Sequence, residues 1–176
     1  MSQRALLLGV NAIGGLAVLA SYAHGISSPH AANGGIWGGV PVAAQGLYTT
    51  SMITAAIGYF PFTYLFAFHV DPARARFGGA PLGLVTVLYG FVLIPSAMWL
   101  PLTARYLDAP STPGWIAIQF TLAAVALASA GLFACILRLE PRPPRKLRGL
   151  ALSGCTFFCF QTVVLDAVVW VMLFPR

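Results

Sequence analysis

The side chain with the clearest chemical potential is Asp166, a carboxylate well inside the hydrophobic stretch that runs from Leu150 to Phe174. At a rise of about 1.5 Å per residue, this stretch is long enough to cross a hydrocarbon layer roughly 30 Å thick. A carboxylate inside such a span costs at least ~2.5 kcal/mol on insertion scales unless it is protonated, paired or hydrated. Asp166 is therefore a candidate binding residue, and it favours a cation or a proton as its ligand.

Other hydrogen-bonding side chains are predicted to lie near the depth of Asp166. On the same helix, Thr162 precedes Asp166 by four residues and Gln161 by five, so Thr162 at least shares its face. Helices of alternating direction bring further polar residues into the same half of the membrane. We expect an outward-opening polar pocket between the helices, whose ligand-binding residues are Asp166, Gln161, Thr162, Tyr48, Thr54, Ser96, Trp99 and Gln119.

Each of these side chains also has a purely structural interpretation. Hydroxyl and amide groups in membrane helices often serve only as interhelical hydrogen bonds worth ~0.6 kcal/mol each, and a buried Asp can be a structural acceptor. Trp99, Trp115 and Trp170 lie near the predicted outer boundary, where an aromatic belt is the favoured interpretation.

The composition defines the class of protein that must position these groups. Of 176 residues, 59% are hydrophobic and only 8% are charged, whereas about a quarter of the residues of a soluble domain are charged. Residues 1–176 are predicted to form one all-α integral membrane domain. The net charge of +6 resides in short loops beside hydrophobic stretches, which favours lipid over nucleic acid. Anionic head groups are the predicted partners of Arg142, Arg145, Lys146 and Arg148.

Hydropathy predicts a bundle of five transmembrane helices, and the basic residues predict its orientation. The predicted spans are residues 5–24, 46–69, 81–103, 115–137 and 150–173. Eight of the ten basic residues lie in segments on the side of the N-terminus. The positive-inside rule therefore places the N-terminus in the cytoplasm and the C-terminus outside. The short loops suggest a bacterial inner (plasma) membrane.

Several features of the chain are predicted to shape the bundle. The Gly-rich segment of residues 25–45 is expected to be a flexible interfacial loop or, alternatively, a lid over a cavity. Pro61 is expected to kink the second span, and Pro95 and Pro101 should make the third span irregular. Small residues at close spacing make the fourth span the candidate for tightest packing.

The sequence disfavours an enzyme and predicts neither a cofactor nor a metal. The only lysine, Lys146, lies in a linker, which excludes a retinal Schiff base within a span. His24 and His69 lie at opposite ends of the membrane and could not hold one haem. The three cysteines lie within spans and are read as buried apolar side chains. Neither a phosphate-binding loop nor a pair of carboxylates is apparent.

In its length, helix number and residues Trp37, Pro41, Tyr48, Met52 and Trp99, the chain resembles the tryptophan-rich sensory or translocator proteins. These are small five-helix membrane proteins that bind porphyrins and sterols. The chain lacks the paired prolines and tryptophans of that family's first loop and the Pro-Tyr motif of its last helix. What the resemblance implies is that a bundle of this size can host a ligand pocket.

Two functional hypotheses follow. The first is a non-enzymatic membrane protein that binds or passes a small apolar or cationic ligand at Asp166. The second is an accessory or structural subunit of a larger membrane complex, or a homo-oligomer, in which Asp166 and the hydroxyl groups satisfy a partner's helices.

Overall fold

The computed structural model describes residues 2–175, without the side chain of Ala32. Within this part of the chain, five helices are long and apolar enough to cross a membrane, which confirms the predicted all-α bundle. We name them the first to fifth spans in chain order: Gln3–Ile26, Val42–His69, Gly83–Asp108, Thr112–Leu137 and Arg145–Leu173.

The spans do not pack in chain order. The first packs on the third, the third on the fourth, the fourth on the fifth, and the fifth on the second. The fourth span is the most buried of the five, as its small residues predict. The backbones of two spans approach most closely between the second and fifth spans, where Gly58 faces Gly154. A side chain on either glycine would collide with the backbone of the other, so both positions require glycine.

One end of the bundle gathers the N-terminal segment and two loops. Arg4 Nη2 donates to the carbonyl oxygen of Val70 over 3.0 Å. Strand β1 (Arg76–Phe77) pairs antiparallel with strand β2 (Leu139–Glu140), which joins the loop after the second span to the loop after the fourth. Because eight of the ten basic residues lie here, we call this the basic end.

The opposite end is closed by the segment between the first and second spans. This segment contains a short α-helix, Pro29–Ala32, and a 3₁₀ turn, Gly35–Trp37. Gly38 has a φ of +57°, which glycine adopts without strain, and it packs against the ring of Phe174, where a side chain would collide. Because the segment packs over the end of the fifth span, we call residues 27–41 the covering segment.

The departures from α-helical geometry lie away from the prolines of the third span. That span is one continuous α-helix through Pro95 and Pro101, so the prediction of an irregular second half is wrong. Each proline removes a single N–H donor, a loss that membrane helices can accommodate through small local adjustments.

Two π-helical segments interrupt the α-helical geometry of the spans instead. The second span is α-helical through Pro61, over Val42–Tyr64, and then π-helical over Leu65–His69. In the fifth span, an α-helix (Arg145–Cys159) leads into a π-helix (Phe160–Trp170) and ends as a short α-helix (Val171–Leu173). Asp166 lies in the longer π-helical segment.

Candidate functional site

The π-helical segment determines which side chain reaches Asp166. In an α-helix, at about 100° per residue, a residue five positions along lies about 140° round the axis and faces elsewhere. A π-helix closes i→i+5 hydrogen bonds, so its wider turn brings positions five apart onto one side. Accordingly Gln161 Nε2 donates to Asp166 Oδ1 over 2.7 Å. Thr162, which α-helical spacing favoured, donates instead to the carbonyl oxygen of Phe158, 2.9 Å away.

The pair leaves two oxygen acceptors without donors. Gln161 is only 5% exposed, and its Oε1 is buried without a hydrogen-bond partner in residues 2–175. The orientation of the amide follows from chemistry, because an ionised carboxylate accepts hydrogen bonds and the Gln161 N–H group must therefore point toward it. Asp166 is half-buried, and over the same residues its Oδ2 receives no hydrogen bond. Both oxygens would accept a donor from a ligand.

Two tyrosines bring the first and second spans toward this pair. The phenol groups of Tyr22 and Tyr48 both lie within electrostatic range of the Asp166 carboxylate. Tyr48 Oη donates to the backbone carbonyl of Leu165 over 2.6 Å, which links the second span to the fifth. Tyr22 Oη accepts a hydrogen bond of 3.0 Å from Trp99 Nε1, which links the first span to the third. Residues of four spans thus converge near Asp166.

The tryptophans form a cluster inside the bundle, so the aromatic-belt interpretation is wrong for the two that are buried. Trp115 and Trp170 are 7% and 4% exposed, and their ring centroids lie 6.2 Å apart in a stacked arrangement. Trp99 is half-buried and meets Trp170 edge to face at 5.6 Å. Trp170 Nε1 donates to the carbonyl oxygen of Ile36, which fastens the covering segment to the cluster. Packing against one another removes these rings from lipid.

The remaining predicted residues lie outside the group around Asp166. Thr54 Oγ1 donates to the carbonyl oxygen of Thr50 within its own helix. Ser96 and Gln119 are half-buried, and neither donates to Asp166, whose one hydrogen bond within residues 2–175 comes from Gln161. Of the eight predicted residues, Gln161 contacts Asp166 directly, and Tyr48 binds the backbone of the neighbouring Leu165. Trp99 is linked to the group only through its hydrogen bond to Tyr22.

Two cavities are present elsewhere in the described residues, and Asp166 lines neither of them. One, of about 310 Å³, is an apolar groove between the third and fourth spans, lined by residues such as Phe91 and Ala124. The other, of about 280 Å³, lies between the first and third spans beside His24 and Arg105. Asp166 itself is half-buried.

Sequence reasoning missed residues that belong to the two polar clusters of the bundle. Tyr22 was not among the predicted site residues, although it lies within electrostatic range of the Asp166 carboxylate. Nearer the basic end, Tyr59 Oη donates to Asn11 Oδ1 over 2.5 Å, a contact between the first and second spans. An amide side chain well inside the first span was the available sign of that contact.

Comparisons with protein-family models, curated proteins and solved structures found no match for this chain. The resemblance to the translocator proteins therefore gains no support from them. Any functional conclusion must rest on the geometry of the site itself.

Proposed function

We propose that this chain is a non-enzymatic multi-pass membrane protein that binds a small cation at Asp166 and Gln161 and passes it through the adjoining half of the membrane. The observation that carries the proposal is the pair of unpaired oxygens, Asp166 Oδ2 and the buried Gln161 Oε1. Acceptors without donors, one of them ionisable, favour a positively charged ligand. A π-helical segment at this position adds support, since such segments are frequent at functional sites.

A purely structural role for Asp166 explains its surroundings less well. A structural carboxylate in a bundle should receive donors from neighbouring helices, because such bonds hold the helices together. Its one hydrogen bond within the described chain comes from its own span. The interhelical donor next to it, Tyr48, binds the backbone of Leu165 instead. The carboxylate is thus held in place by the fifth span and left open toward the others.

The alternative, an accessory subunit whose polar groups satisfy a partner's helices, finds less support in the same contacts. Thr54 and Thr162 both donate within their own helices and need no partner. The native mass after gentle extraction tests this alternative. A mass far above one or two copies, with other chains present, would favour the accessory subunit over the binding protein.

The orientation and lipid partners belong to the same proposal. We place the basic end in the cytoplasm, which puts Asp166 in the outer half of a bacterial inner membrane. The orientation is tested by inserting a tag at residues 78–79, at the basic end, or at residues 109–111, at the opposite end, and measuring from which side of the membrane each tag is accessible.

Three basic residues at the entry to the fifth span are available to lipid. Arg142, Arg145 and Lys146 are exposed and make no ion pair or hydrogen bond within residues 2–175, so they are free for anionic head groups. Arg148 belongs to the same group; its guanidinium donates to the carbonyl oxygen of Leu137 over 3.0 Å and keeps its charge and further N–H groups.

Asp166→Asn is the experiment that tests the function. The purified protein in nanodiscs would be titrated with Na⁺, phenethylammonium and N,N,N-trimethylphenethylammonium, with binding measured by calorimetry. At least one cation should bind the wild type, and Asp166→Asn should lose that binding while still accumulating as a folded protein. Asp108→Asn is the matched control, because that carboxylate is exposed at the end of the third span and already pairs with His30 over 3.0 Å. If no cation binds in an Asp166-dependent way, the proposed function is wrong.

A further inference from the structure

Resting on the proposed function, we infer that the ligand class is a protonated primary or secondary amine with an apolar body. The inference follows from the number of acceptors that the site presents and from the rings that surround them. It distinguishes the amine from a quaternary ammonium ion and from an alkali metal ion, both of which carry the same charge.

The acceptors require N–H groups and not charge alone. Asp166 Oδ2 could be neutralised by any cation, but Gln161 Oε1 is buried and gains only from a hydrogen-bond donor or a coordinated ion. A quaternary ammonium ion has no N–H group and would leave Oε1 unsatisfied, which carries the penalty of a buried, unpaired acceptor. A primary ammonium group has three N–H groups, so it can serve Oδ2 and Oε1 together.

The neighbours of the two oxygens argue against an alkali metal ion. Such ions are held where a ring of oxygens replaces their hydration shell. The carbonyl of Leu165, the residue before Asp166, already receives the Tyr48 hydroxyl. The phenol of Tyr22 lies within electrostatic range of the Asp166 carboxylate, and its ring packs on Trp99, which packs in turn on Trp170.

The aromatic rings also account for an apolar body on the ligand. Tyr22 meets Trp99 edge to face at 6.2 Å, and Trp99 meets Trp170 in the same manner at 5.6 Å. Ring faces attract an organic cation, and apolar groups attached to its nitrogen can pack between them. The two oxygens and the rings therefore recognise different parts of one molecule.

The test compares phenethylammonium with its N,N,N-trimethyl analogue, which keeps the ring and the charge but removes every N–H group. On the wild type, phenethylammonium should bind at least about tenfold tighter, the ratio for one hydrogen bond to a charged donor. Gln161→Leu should lower that ratio, because it removes one of the two oxygens that the N–H groups serve, while the Asp166 carboxylate still favours an N–H donor. Gln45→Leu is the matched control and should keep the wild-type ratio, since its Nε2 lies against Val40 at the end of the second span.

The outcomes separate this inference from the proposed function. Equal or tighter binding of the trimethyl analogue, or Asp166-dependent binding of Na⁺ alone, would overturn the amine inference and leave the cation site standing. Binding that is indifferent to Asp166→Asn would overturn both. Should Gln161→Leu fail to accumulate, the ratio on the wild type still decides, because it needs no variant.

Discussion

Replacing Gly154 by Ala tests how the second and fifth spans hold the site together. A Cβ atom added at Gly58 would lie 2.6 Å from the Gly154 carbonyl oxygen, where an ordinary contact is 3.4–4 Å. A Cβ added at Gly154 would collide in the same way with the Gly58 carbonyl oxygen. Both obstacles are backbone atoms, which cannot swing aside as a flexible side chain would. The two spans must therefore separate by about 1 Å, since interiors are close-packed.

The expected cost of Gly154→Ala is about 1–3 kcal/mol, the usual range for overpacking a close contact. The double variant Gly58→Ala with Gly154→Ala should cost less than the sum of the two single changes, because one separation relieves both collisions. The separation should also stretch the 2.6 Å hydrogen bond between Tyr48 and Leu165, since these residues join the same two spans. The variant would then weaken cation binding as well as stability.

Unfolding of the purified protein by sodium dodecyl sulphate in mixed micelles measures the stability. Gly149→Ala and Gly46→Ala are the matched controls on the same two spans, because an added Cβ there meets nothing within 4 Å. They should be neutral or slightly stabilising, as Ala favours a helix over Gly by up to ~1 kcal/mol. If Gly154→Ala proves as stable as Gly149→Ala, the close contact between the two spans is refuted.

Two further substitutions probe the contacts around Asp166. Tyr48→Phe should cost about 0.6–1.7 kcal/mol in the same unfolding assay, because the hydrogen bond to Leu165 is lost. Tyr64→Phe, at a half-exposed tyrosine of the same span, should cost nothing measurable, and equal costs would contradict the assignment. Trp170→Phe keeps an aromatic ring but removes the Nε1 donor that binds the covering segment. Amide hydrogen exchange in residues 33–41 should then accelerate, and unchanged exchange would mean that other contacts hold the segment.

The number of spans could be predicted because it depends on local composition, and Asp166 could be identified as a candidate for the same reason. Twenty apolar residues can cross a bilayer wherever they occur, and a carboxylate within them is conspicuous without any knowledge of packing. The close pairing of Gly58 with Gly154 could not be predicted in this way, because it depends on which faces of two distant helices meet. The small residues of the fourth span predicted tight packing there, and that span is the most buried of the five.

Gln161 was placed in the predicted site, but its direct pairing with Asp166 was not predicted, for a different physical reason. Sequence periodicity assumes an α-helix, and under that assumption Thr162 shares a face with Asp166 and Gln161 does not. The π-helical segment from Phe160 to Trp170 changes the repeat and therefore the partner. Prolines were expected to mark the irregular helices, yet the third span continues through Pro95 and Pro101 without a break. The π-helical segment contains no proline or glycine that would have marked it in the sequence.

The π-helical segment links the local geometry to the proposed chemistry. Within an α-helix, Gln161 would face away from Asp166, and its amide could not serve as the donor. The wider turn supplies that donor from the same span, so the orientation of the carboxylate is fixed before any other helix is involved. The neighbouring spans then contribute rings and one hydroxyl bond to the backbone, and leave Oδ2 and Oε1 open. The acceptor pair is thus oriented by side chains of a single helix.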